Sequence, residues 1–347
     1  MEINQLKSLL SHYGIRPNKD LGQNFLLSEE VLHQIVDAAQ LTEGDTVLEI
    51  GPGLGFLTRK LADKASQVIA IEKDKKLCQA LHKMFKNKKN VKIINGDALD
   101  PSLFPSPHEG RVGEGYKVVA NIPYYLTGKI LKELLSPTHL LPSPDEGRVA
   151  GGREGLIRPD LIVFLLQKEV AQRIVAGPGE MSLLSLSVQF YADPEIIAYV
   201  PKENFYPVPE VDSAIVRIRP HPAPSPFIPL PQGEGGRRPG EGVDEAKFFQ
   251  LLKIAFSNKR KQLHNNLQAL PVFSPPRPAF VATSAEWAEG EMKRGLTSPS
   301  PSSRGGEQKR DYKTLLSSLD LNPLARAQDL SLEDWENLYD KIFPAES

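Results

Sequence analysis

The stretch Asn121-Ile122-Pro123-Tyr124 puts an amide, a proline-fixed main-chain carbonyl and an aromatic ring within four residues. That set suits an exocyclic amine on a nucleobase. Such an amine is a poor nucleophile, because its lone pair is delocalised into the ring. The Asn121 side-chain carbonyl and the Ile122 main-chain carbonyl can each accept one of its hydrogens. This draws the nitrogen toward tetrahedral geometry and aims the lone pair at an electrophilic carbon. Pro123 fixes the backbone so that its neighbour's carbonyl is correctly directed. The Tyr124 ring can stack on a base that has been flipped out. In-line transfer between held partners needs mostly positioning. It needs no metal, nucleophilic side chain or strong general base, and the sequence shows none. A lone cysteine, Cys78, excludes an internal disulfide and a Cys-clustered metal site.

A reactive partner must be held beside that stretch. Glu49-Ile50-Gly51-Pro52-Gly53-Leu54-Gly55 ends a short apolar run in a glycine turn that lets a ligand approach the backbone. The dinucleotide fingerprint needs glycine at position 56, which is Phe56, and no Gly-Lys-Ser/Thr follows for a P-loop. The spacing E-x-G-x-G-x-G fits the turn of S-adenosylmethionine-dependent methyltransferases. Ile71-Glu72 ends a second apolar run, where a carboxylate can accept both ribose hydroxyls of a nucleoside. Gly96-Asp97 ends a third, where a carboxylate can accept an adenine amino group.

These motifs fall at the ends of strands that alternate with helices. Strands are expected at 46–51, 67–74, 90–99, 116–124 and 160–167, and helices at 28–40, 56–64, 75–85, 127–135 and 168–176. The alternation predicts a parallel, doubly wound α/β sheet of the class I, Rossmann-like type that binds S-adenosylmethionine. Segment 182–200 adds a helix and a strand, and 214–220 reads as an antiparallel strand at the sheet edge. From 244 onward the pattern is helical, with a long first helix over 244–267. The expected division is a catalytic domain at 1–220, a Pro/Gly-rich linker at 221–243 and a small all-helical domain at 244–347.

Four stretches interrupt this order: 105–115, 141–155, 221–243 and roughly 271–308. Their Gly, Pro and Arg content cannot bury enough apolar surface to offset ordering entropy. Pro105–Val112 and Pro142–Val149 agree at seven of eight positions, so these read as related insertions in surface loops. Apolar runs of about ten residues rule out a membrane-spanning helix, which needs roughly 20. No secretory leader is expected at the N-terminus, and the expected compartment is cytoplasmic. With 42 Lys plus Arg against 43 Asp plus Glu, no global field draws in phosphate. Basic clusters do occur locally: Lys259, Arg260 and Lys261 are expected to touch RNA, and the lysine run at 73–92 is the next candidate.

Together these motifs resemble one family over nearly the whole chain outside the insertions: the KsgA-type small-subunit rRNA adenine dimethyltransferases. The resemblance is carried by Gly22-Gln23-Asn24-Phe25-Leu26, EIGPGLG, Ile71-Glu72, Gly96-Asp97, NIPYYLT and LLQKEVAQRIVAGPG. FYPVPEVDS, AFSNKRKQLHNNL and LNPLARAQDLSLEDW extend it. It implies S-adenosyl-L-methionine binding by Asn24, Leu26, Gly51, Gly53, Glu72, Asp97 and Asn121. It also implies that Phe205 packs on the target base opposite Tyr124. The implied reaction is N6,N6-dimethylation of two adjacent adenines near the 3′ end of the small-subunit rRNA. The implied partner is the immature small ribosomal subunit, with the enzyme acting as a monomer. The alternatives are a large-subunit enzyme of the antibiotic-resistance type and an assembly factor without catalysis.

Overall fold

The computed structural model describes residues 3–18, 22–105, 115–122, 126–135, 158–221, 243–270 and 311–344. A helix, α1 (Ile3–His12), and a two-residue strand, β1 (Phe25–Leu26), come first. The expected alternation follows: α2 (Glu29–Ala38), β2 (Thr46–Ile50), α3 (Phe56–Ala62), β3 (Gln67–Glu72), α4 (Lys75–Met84) and β4 (Val91–Asn95). It continues with β5 (Tyr116–Asn121), α5 (Thr127–Leu135), β6 (Pro159–Gln167) and α6 (Lys168–Ile174). Then come α7 (Leu183–Gln189), β7 (Ala192–Val200), β8 (Phe205–Tyr206) and β9 (Ser213–Pro220). The helical part holds α8 (Glu245–Ala255), α9 (Leu263–Leu267), α10 (Tyr312–Ser317) and α11 (Leu332–Ile342). Local chemistry sets several of these ends. The Ser28 hydroxyl accepts from the Val31 N–H at the start of α2, and Asp74 accepts from the Lys76 and Leu77 N–H groups at the start of α4.

Among the described residues, seven strands form one sheet in the order β4-β3-β2-β5-β6-β9-β7. Neighbours from β4 to β6 are parallel, and β9 is antiparallel to both β6 and β7. The central strands are apolar on both faces because helices cover both faces. Their side chains split between two apolar clusters, one containing Leu48, Ile50 and Val118 and the other Val47, Val119 and Val163. The order reverses between β2 and β5, so the crevice at their carboxyl ends is where a ligand belongs.

Two expectations need correction. The 214–220 strand is antiparallel but not at the edge. It is inserted between β6 and β7, because Ala214, Ile215, Val216 and Ile218 are fully buried there. The edge belongs to β7, whose Asp193, Pro194 and Glu195 suit a solvent-facing strand. Glu195 pairs with Arg217 across the β7–β9 register at 2.6 Å. The long helix over 244–267 is two helices. The Asn266 amide donates to the Ala255 and Asn258 carbonyls at 2.6 and 3.0 Å, satisfying acceptors that the end of α8 leaves free. Lys259, Arg260 and Lys261 therefore sit, exposed, in a turn between α8 and α9.

The helical part packs around the fully buried Trp335, and Met181, Leu186 and Phe190 from the α7 region join that core. The segments 106–114, 141–155, 222–242 and 271–308 lie outside the described residues. Among the described residues, no helix is long and apolar enough to cross a membrane, and no group of three or more His, Cys, Asp or Glu is placed to hold a metal.

Candidate active site

One pocket at the carboxyl ends of β2, β3 and β5 brings together all seven residues expected to hold the cofactor: Asn24, Leu26, Gly51, Gly53, Glu72, Asp97 and Asn121. The turn after β2 is built from glycines in the left-handed region, with φ of 68° at Gly51, 58° at Gly53 and 75° at Gly55. The first two keep side chains off the pocket floor. Gly55 has a different reason, since it starts α3 against α4. A Cβ there would lie 2.6 Å from the Phe85 ring and 2.8 Å from a Leu81 methyl. Gly55→Ala is expected to destabilise the fold by about 2–4 kcal/mol, from backbone strain plus overpacking. The urea midpoint should fall with the slope unchanged.

Glu72 is buried at 6% exposure and fastens the glycine turn. Its Oε2 accepts from the Gly53 N–H at 3.1 Å and its Oε1 from the Asp74 N–H at 2.8 Å. Burial pushes the Glu72 carboxyl up, and backbone N–H bonds from Asp74, Gly53 and Lys73 oppose that shift. Asp97 behaves in the opposite way. The Lys73 ammonium lies 2.9 Å from its Oδ2 and the Leu99 N–H 3.0 Å from its Oδ1, and these hold the carboxyl below its usual range.

Asn121, at the end of β5, donates from Nδ2 to the Asn24 carbonyl at 3.2 Å. That contact ties the segment before β1 to the end of β5. It also sets the amide so that Oδ1 keeps its acceptor capacity, with no partner among the described residues. Ile122 is buried and its N–H donates to the Leu165 carbonyl of β6 at 3.3 Å, which fixes the peptide that follows Asn121. Pro123 and Tyr124 lie outside the described residues.

Two further residues stand apart from the cofactor set. Phe205, expected against the target base and not against the cofactor, does not line this pocket. Its ring is 2% exposed and belongs to the apolar cluster with Leu26, Ile35 and Val200, because β8 pairs with β1 and turns alternate residues to opposite sides. Glu49 lines the pocket and was absent from the candidate residues, although it is the first residue of the E-x-G-x-G-x-G motif. A charged residue inside the apolar strand TVLEI was the available signal. Its carboxyl is 1% exposed, and Oε2 has no hydrogen-bond partner among the described residues. Burial pushes it to about 8, with the nearby Glu72 carboxylate adding to that and Thr58 opposing it.

An acid-lined pocket with a buried, unsatisfied carboxyl fits a cationic nucleoside such as S-adenosylmethionine. The ribosomal RNA adenine dimethylase family model matches residues 14–274. The ribosomal RNA small subunit methyltransferase A of Dehalococcoides mccartyi is 37% identical over 96% of this chain and 91% of its own length. The protein of the same name from Pelotomaculum thermopropionicum is 36% identical over 84% of this chain and 90% of its own. The crystal structure of a dimethyladenosine transferase from Plasmodium falciparum superposes with a TM-score of 0.60 at 23% identity, covering 92% of this chain and 98% of that one. The 23S rRNA methyltransferase ErmE superposes at 0.58 with 21% identity, covering 92% and 99%. At these identities the two structures share the fold with this chain.

Proposed function

The chain belongs to the ribosomal RNA adenine dimethylase family, and from that premise we propose that it dimethylates N6 of two adjacent adenines in the 3′-terminal hairpin loop of small-subunit rRNA. In this reading it acts in the cytoplasm, as a monomer, on the immature small subunit. What supports the reading most is the meeting of the acidic strand ends, the glycine turn and Asn121 in one pocket at the switch point of the sheet. When bound, S-adenosylmethionine supplies an electrophilic methyl group carried on a sulfonium.

The chain's own residues do the rest. Glu72 accepts the ribose hydroxyls and Asp97 the adenine amino group, while Gly51 and Gly53 let the cofactor lie against backbone. Asn24 and Leu26 cover it. Asn121 Oδ1 and the Ile122 carbonyl hold the hydrogens of the target amine, with Pro123 shaping the turn and Tyr124 stacking on the base. The sheet domain carries this chemistry, and the helical part with Lys259, Arg260 and Lys261 faces the ribosome. The curated relatives carry a small-subunit name, which disfavours the large-subunit reading. The intact pocket disfavours an assembly factor without catalysis.

The test is transfer of labelled methyl groups to small-subunit rRNA, large-subunit rRNA and immature subunits, with base analysis of the product. Dimethyladenosine confined to the small-subunit hairpin is expected, and label in large-subunit rRNA alone would overturn the reading. Asn121→Ala should lower turnover about 100-fold or more, because misplacing the amine forfeits most of the positioning. RNA affinity should barely change, since phosphate contacts supply most of it. A collapse of RNA affinity with turnover at saturation intact would contradict the role given to Asn121.

A further inference from the structure

A second concave surface adjoins the cofactor pocket. Lys7 of α1, Arg16 of the following loop, and Lys75 and Lys76 at the start of α4 line one groove together with Tyr206 and Asp74. All four cations are exposed. The structure sorts the lysine run of 73–92 into two kinds. Lys73 is committed to Asp97 at 2.9 Å and Lys88 to Asp63 at 2.7 Å. Lys75 and Lys76 form no ion pair among the described residues, and neither do Lys7 and Arg16. Asp74 brings one negative charge to the groove against these four cations, and its oxygens are turned to neutral donors rather than to the lysine ammonium groups. Oδ1 accepts from the Lys76 and Leu77 N–H groups, and Oδ2 accepts from Gln23 at 3.3 Å.

The groove shares a wall with the pocket. Tyr206 faces the groove and pairs in register with Phe25, which lines the pocket. The Asp74 N–H bonds Glu72 on the pocket side. Lys7 lies 5.6 Å from the Tyr206 ring centroid, which holds that long side chain over the groove. A base delivered to the pocket drags its own backbone to the pocket's edge. An excess of cations beside an aromatic face suits the phosphates of such a strand.

We propose that this groove is a second RNA-contact surface, which holds the phosphate backbone flanking the target adenines. It rests on the rRNA methylation reading above, and it names a path separate from Lys259, Arg260 and Lys261.

The test compares full-length wild type with Arg16→Gln/Lys75→Gln/Lys76→Gln and with Lys83→Gln/Lys86→Gln, which removes charge from the same run but outside the groove. The probe is a small-subunit rRNA 3′-terminal hairpin fragment, titrated at several salt concentrations. The groove variant should lower the slope of log affinity against log salt by about 2–3 units, and affinity at moderate salt by about 10- to 1,000-fold. S-adenosylmethionine affinity by calorimetry should stay within twofold, which certifies the fold of the pocket. The Lys83/Lys86 variant should keep the wild-type slope. An unchanged slope in the groove variant, or equal falls in both variants, overturns the proposal. So does a loss seen only on subunit particles and not on the naked fragment, which would assign the groove to a protein partner. If the groove variant behaves as wild type while wild type methylates the fragment, the groove assignment alone fails. If wild type binds S-adenosylmethionine but methylates neither the fragment nor immature small subunits, both readings fail.

Discussion

Glu72→Ala is expected to weaken S-adenosylmethionine binding by about 100-fold or more. In the role proposed for Glu72, two charge-assisted hydrogen bonds to the ribose would contribute roughly 1.5–3 kcal/mol each, and together they would span two to four orders of magnitude in affinity. A second loss adds to this. Removing the carboxylate also orphans the Gly53 and Asp74 N–H groups that it now satisfies, so the glycine turn loses its fastening. Glu72→Gln separates the two effects. The amide keeps one acceptor oxygen of the same reach but no charge, so an intermediate loss of about 10-fold is expected. Calorimetric titration of both variants, with far-ultraviolet circular dichroism to confirm folding, makes the measurement. Unchanged affinity in a folded Glu72→Ala protein would remove Glu72 from the cofactor site.

The pH dependence of stability should be dominated in one window by Glu49. Its carboxyl is held at about 8 in the folded chain, against 4.5 for the ordinary value. The folded state therefore keeps a proton that the unfolded state has lost at any pH between those values. Stability contributed by this group is fully present below 4.5 and falls as pH rises toward 8, by about 1.4 kcal/mol per pH unit. Glu49→Gln removes the titration while keeping the shape. Its unfolding free energy minus that of wild type should grow by several kcal/mol between pH 5 and pH 8. Glu72, also raised by burial, adds to the slope in both proteins and cancels from the difference. A difference that stays flat across the window would mean that Glu49 is ionised at ordinary pH in the folded protein. A cation in the pocket lowers the carboxyl toward its usual range, so S-adenosylmethionine should flatten the wild-type slope and release a proton as it binds near pH 7.

Features set by neighbours along the chain are legible in the amino-acid order itself. Alternating runs such as TVLEI, FLTRKLA and QVIAIE carry their periods within a few residues, and Ser28 caps α2 as its spacing indicates. The glycine turn and the two acids could be read as one pocket because each lies at the end of a strand or just past it, and parallel strands bring such ends together. The break between α8 and α9 is less visible, since an apolar period continues through it. A side-chain amide 11 residues from Ala255 terminates the first helix.

What only the tertiary structure decided rests on partners far apart in sequence. Asn24 and Asn121 meet across 97 residues, and no local pattern encodes that hydrogen bond. β9 enters the sheet between β6 and β7 because those strands pair with both of its edges while the two apolar clusters cover its faces, whereas its sequence reads equally well as an edge. Phe205 goes inward and Tyr206 faces the groove because a two-residue pairing with β1 sets their sides. The protonation of Glu49 is the sharpest case. The residue type names an acid, but its charge depends on how much water the whole fold removes around it, and desolvation is a property of the assembled core. The lysine run follows the same rule: composition counts its charges, and only the packing of α1 and α4 against β8 determines which of them remain free for a phosphate.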